Sequence, residues 1–217
     1  MKISARFATP CLAAAFVLAG CSSTTIRFDP PSPGAVCAPA ERGLLLWTTR
    51  WRPDQKDVAD REAAAAEGIR RFAMESGCFS PAQAKRIAAS DGPALEESLR
   101  GTKDSADRVV VVTVRELGPV LKVLSSAAGV EGGTEVVLDI AAHRTAAGAS
   151  PTRFTAHWFQ GGPGVVRGVA GLSDDMQAAL RAALQAPGSS AADSRMASRP
   201  PPEEPQTGSA IGRRPQR

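Results

Sequence analysis

The stretch from Arg108 to Gln160 leaves this chain few choices of fold. It opens on the clearest strand of the chain, Arg108 to Leu117, with the β-branched run Val109-Val110-Val111-Val112 at its centre. In 134–145, Val136, Leu138, Ile140 and Ala142 alternate with Glu135, Val137, Asp139, Ala141 and His143. A period of two sends these sets to opposite faces of a strand. After a turn at 146–151, the stretch 152–160 alternates again, with Phe154, Ala156 and Trp158 directed inward. A long hairpin with one apolar face needs a second layer to cover it.

The flanking sequence supplies that layer. Gly43-Leu44-Leu45-Leu46-Trp47-Thr48-Thr49 reads as a first buried strand. A helix follows at about 57–76, with Ala65, Ile69, Phe72 and Ala73 on one stripe and Val58 two turns before Ala65. Glu62 interrupts the stripe, so the first two turns should be less buried. Asp57 suits the helix start and Gly77 a left-handed stop. Cys78-Phe79 fits the start of a short strand, and Ser80-Pro81 equally fits a further helical turn. A short helix at 93–100 lies between Asp91 and Gly101. Gly118-Pro119 should end the 108–117 strand, 120–126 suits another, and Glu131-Gly132-Gly133 reads as a turn. The glycines of 161–171 read as a loop, before a helix started by Ser173 and striped by Met176, Leu180, Ala183 and Leu184. The expected fold is an α/β (α+β) sandwich: a mixed sheet of about five strands, with helices mainly on one face.

Charge excludes one class of partner. Of 26 basic and 22 acidic residues, 1–20 hold Lys2 and Arg6, and 186–217 hold five arginines and three acids. That leaves 19 of each sign for 21–185, a neutral body with no electrostatic footprint for nucleic acid. From Ala186 onward the chain has no aromatic and few large apolar residues, so 186–217 reads as a disordered Pro/Arg-rich tail. The prolines at 30, 31, 33 and 39 make 22–42 read as a tether, leaving 43–185 as the globular domain.

Residues 1–20 have the form of a signal peptide: Lys2 and Arg6, then a short apolar run from Cys11 to Ala19. The run ends Val17-Leu18-Ala19-Gly20-Cys21, which resembles the lipobox of bacterial lipoproteins. The resemblance implies cleavage before Cys21, acyl chains on its thiol and stable membrane attachment. Ser22 stands where an aspartate would favour the inner membrane, which points to the periplasm-facing side of the outer membrane. Cys37 and Cys78 then remain as a pair in an oxidising compartment, expected as a disulfide, with two buried free thiols as the alternative.

Chemistry is sparsely marked. With the turn centred near 147–149, His157 would stand beside Asp139 and Arg153 beside His143. A His–Asp couple is part of a catalytic triad, but no serine or cysteine in a nucleophile turn accompanies it. A polar pair on a solvated sheet face is the reading adopted. Gly161-Gly162-Pro163-Gly164 lacks the lysine and hydroxyl of a phosphate loop. Two cysteines and two distant histidines are too few for a metal, and no cofactor motif is present.

The order of elements, with Leu44–Thr49, Ser105-Ala106-Asp107-Arg108-Val109-Val110, the 134–160 hairpin and the final helix, resembles a family of envelope lipoproteins with a compact α/β sandwich. It includes the curli-secretion lipoprotein, the activator of penicillin-binding proteins and the N-terminal domain of the Tol translocation protein. The resemblance implies a non-enzymatic lipoprotein that binds a protein partner or cell-wall component in envelope assembly. Asp139, His143, Arg153 and His157 form the expected partner-binding face. Alternatives are an auxiliary lipoprotein of a transport or secretion system and a hydrolase, which would need His157, Asp139 and a hydroxyl in one pocket.

Overall fold

A computed structural model describes residues 22–102, 105–123, 130–145 and 150–185. The expected leader at 1–20, Cys21, residues 124–126 of the expected further strand and the expected tail 186–217 lie outside these residues. Six strands form one mixed sheet. In chain order they are β1 (Ser23–Asp29), β2 (Gly43–Thr49), β3 (Ala82–Arg86), β4 (Arg108–Val123), β5 (Val130–Arg144) and β6 (Thr152–Pro163). The helices are α1 (Val58–Glu75), α2 (Gly92–Arg100) and α3 (Leu172–Leu184), the last preceded by a 3-10 turn at Val169–Gly171. Across the sheet the order is β1-β6-β5-β4-β2-β3. Strands β2, β3 and β4 run parallel, while β4, β5, β6 and β1 are antiparallel.

The expected alternation holds. Val136, Leu138, Ile140, Phe154, Ala156 and Trp158 are buried in a core shared with Ala65, Ile69 and Phe72 of α1 and Met176, Leu180 and Leu184 of α3. Short α2 lies against the opposite face, with Leu95 and Leu99 half-buried on Leu44, Leu46, Val109 and Val111. Cys37 and Cys78 form a disulfide with their Cα atoms 4.6 Å apart. It pins the chain before β2 to the end of α1, while the amides of Val36 and Cys37 donate to the Leu184 carbonyl of α3.

Five expectations are corrected. Residues 23–29 of the expected tether are an edge strand, with Ile26 and Phe28 packed against the core. Their alternation was hidden by the prolines that follow. Cys78-Phe79 is a bend, and the short strand begins at Ala82. Pro119 does not end β4: β2 leaves it at Val114, so Pro119 lies where β4 has β5 on one side only and its missing N–H costs no ladder bond. Gly132, Gly133 and Gly161 lie within strands because the backbones approach closely there. A Cβ on Gly133 would strike the Gln160 carbonyl, and one on Gly161 the Gly132 carbonyl. Asp57, Asp91 and Ser173 precede or open helices without giving a side-chain cap, whereas Gly77 has the expected positive φ of 67°.

A crosswise set of charges fixes the parallel start of β2 and β4. Asp107 accepts the Arg42 amide at 2.9 Å and its guanidinium Nη2 at 2.9 Å. Arg108, almost wholly buried, donates to Glu41 at 2.7 Å. Hydrogen bonds from Arg42 hold the Asp107 carboxyl down to about 2, and Arg108 likewise lowers Glu41.

Candidate functional site on the open face of the sheet

Beyond α2, the face of the sheet opposite α1 and α3 is uncovered by any helix among the described residues. Odd-numbered residues of β5 and β6 point there by strand alternation. Asp139 is its centre. One carboxylate oxygen accepts Arg50 Nη2 at 2.8 Å, and the other accepts the Thr155 hydroxyl at 2.9 Å. Arg115 Nη1 lies 3.5 Å from that second oxygen. Arg52 joins the margin through Glu116 at 2.8 Å.

A one-residue bulge builds this arrangement. Val114 pairs with Leu138, but Glu116 pairs with Val137, so Arg115 is the extra residue. It lets two consecutive polar side chains face outward and returns Leu117 to the core beside Val136. Arg61 braces the margin from α1: its Nε donates to the Lys56 carbonyl at 2.8 Å, and Nη1 reaches the Leu117 carbonyl. Two hollows flank Asp139. One of about 460 Å³ includes Arg50, Thr113, Asp139, Arg153 and Thr155. The other, about 720 Å³, includes Arg52, Lys56, Arg115, Glu116 and His157.

The register corrects the expected couples. Asp139 stands opposite Thr155, His157 opposite Val137, and Arg153 opposite Ala141. The pairing of β5 with β6 is centred one residue earlier than expected, which slides the facing pairs by two. His157 and Asp139 therefore do not face each other across the ladder. His143 and Arg153 do share a neighbourhood. Burial first, and the Arg153 charge second, push the His143 imidazole below its ordinary pKa. Its Nε2 is buried with no hydrogen-bond partner among the described residues. Sequence reading missed Arg50, Arg115 and Thr155. The signal for Arg115 was present: Val114-Arg115-Glu116-Leu117 breaks a period of two with one extra polar residue.

The arrangement can present fixed charge to a partner. Arg50, Arg52 and Arg115 are oriented by carboxylates instead of sweeping solvent, and the floor is the hydrogen-bonded sheet. Among the described residues, no group of three or more His, Cys, Asp or Glu could hold a metal.

The fold is an α+β sandwich of one mixed sheet and three helices. No protein-family model matches the chain, and no curated protein matches it. Among solved structures, a PelC dodecamer from Paraburkholderia phytofirmans is similar at 17% identity and TM-score 0.41, over 76% of this chain and 99% of that one. A variant of that protein gives 16% identity and the same TM-score over the same shares. A hemagglutinin homolog from Helicobacter pylori gives 9% identity and TM-score 0.35, over 71% of this chain and 87% of that one.

Proposed function

We propose that the protein is a lipid-anchored, non-enzymatic binding protein of the bacterial envelope, facing the periplasm from the outer membrane. Its open sheet face holds a protein partner or a cell-wall component. The observation that carries this reading is Asp139, fixed by Arg50 and Thr155 at the centre of an uncovered, polar sheet face. Charges held in place by neighbours lose little freedom when a complementary surface arrives, so they contribute specificity and steering. The anchor rests on Val17-Leu18-Ala19-Gly20-Cys21 and the small, polar Ser22-Ser23 that follows. The disulfide is consistent with an oxidising compartment.

The test is a crosslinking pull-down from native membranes, with wild type set against Asp139→Ala and Arg153→Ala. Wild type should capture a discrete partner. Each variant should fold normally and lose capture by roughly tenfold, equivalent to about 1.4 kcal/mol. Equal capture by wild type and both variants would remove the open face from the account.

A further inference from the structure

The first residue of β1 stands only two positions after Cys21. We infer that the sheet end carrying Ser23, Leu121 and Val166 rests against the bilayer that receives the Cys21 lipids. This inference rests on the lipid-anchor reading given above. Two Cα steps span at most about 8 Å, so Cys21 has no long linker to wander on. Anchoring at that point brings one end of the sheet to the lipid surface.

The register shows what else lies at that end. Ser23 pairs with Gly161, Gly161 with Gly133, and the neighbouring Gly132 with both Gly162 and Leu121. A Cβ on Gly132 would strike the Val165 carbonyl, which puts the 164–166 turn on the same corner. Here Leu121 is 65% exposed and Val166 is 83% exposed. Among the described residues neither side chain belongs to a hydrophobic cluster. Pressed into the headgroup boundary, both would lose this exposure to water, as apolar side chains of interfacial segments do. The opposite end of the sheet carries Arg108 opposite Arg144, about 40 Å away along β5. No helix of the described residues is long and apolar enough to cross a membrane.

The experiment uses the full lipidated protein in phosphatidylethanolamine–phosphatidylglycerol vesicles. On this reading Cys21 is acylated and Cys37 is bonded to Cys78, so an introduced cysteine is the sole reactive thiol. Leu121→Cys, Val166→Cys and Arg144→Cys each receive an environment-sensitive fluorophore. Labels at 121 and 166 should be quenched severalfold more by brominated lipid than the label at 144, and severalfold less by aqueous iodide. Equal behaviour at all three positions, in protein whose intact mass shows acylated Cys21, overturns the inference and leaves the anchor standing. Protection from iodide without quenching by brominated lipid also overturns it, since a second copy or another protein then covers this end. An unmodified Cys21 overturns the anchor reading itself, and the inference with it.

Discussion

Asp139 divides its two oxygens between exposed Arg50 and half-buried Thr155. Such a pair contributes little to stability, so Asp139→Ala should cost no more than about 1 kcal/mol in a urea titration. Its loss should appear instead in partner capture. His143 belongs to a different balance. Its folded pKa is lowered, so the unfolded chain binds the proton more readily. Stability should therefore be complete above the ordinary imidazole pKa of about 6.5 and fall as pH drops below it. Urea midpoints measured from pH 8 to 5 should show this slope, and His143→Gln should flatten it. A second loss should begin below about pH 4 and continue toward 2, where Asp107, also depressed, is finally protonated and leaves Arg42. Which residues face outward was legible from alternation in 134–160. Which of them meet was not, because the turn position fixes register and one residue of error moves every pair.

At the scale of elements, the long strands and both principal helices followed from hydrophobic period, and the errors cluster at glycine and proline. These residues usually punctuate a chain, yet here Gly133 and Gly161 face each other inside β5 and β6. The sequence carries no local mark that separates a glycine needed for a turn from one needed for close backbone approach. The distinction is testable. Gly161→Val should destabilise the fold by about 1–3 kcal/mol, since its Cβ meets backbone that cannot give way. Gly34→Ala, where a Cβ meets nothing within 4 Å, should stay within about 0.5 kcal/mol of wild type. Thermal or urea denaturation of the two variants checks the contrast. Strand β1 was missed for a related reason: Thr25-Ile26-Arg27-Phe28 alternates over only four residues before Pro30 and Pro31.

Across the domain, the disulfide ties the chain before β2 to the end of α1 over a sequence separation of 41 residues. Replacing both cysteines by serine should cost about 3–4 kcal/mol on the chain-entropy model, read as a lowered denaturation midpoint without a change of fold. That pairing was legible once Cys11 and Cys21 had been set aside as belonging to an expected leader and an expected anchor. The open face was only partly legible, since Arg50 and Arg115 reach Asp139 from a loop and from a bulge. Neither position follows from period alone. The central claim is that this face, and not the helical one, meets the partner. The most direct measurement places a photocrosslinking residue at Arg153, at His157 or at exposed Met74 of α1 in the full chain expressed in cells. The account predicts a discrete adduct from positions 153 and 157 and none from 74. An adduct from 74 alone would contradict it.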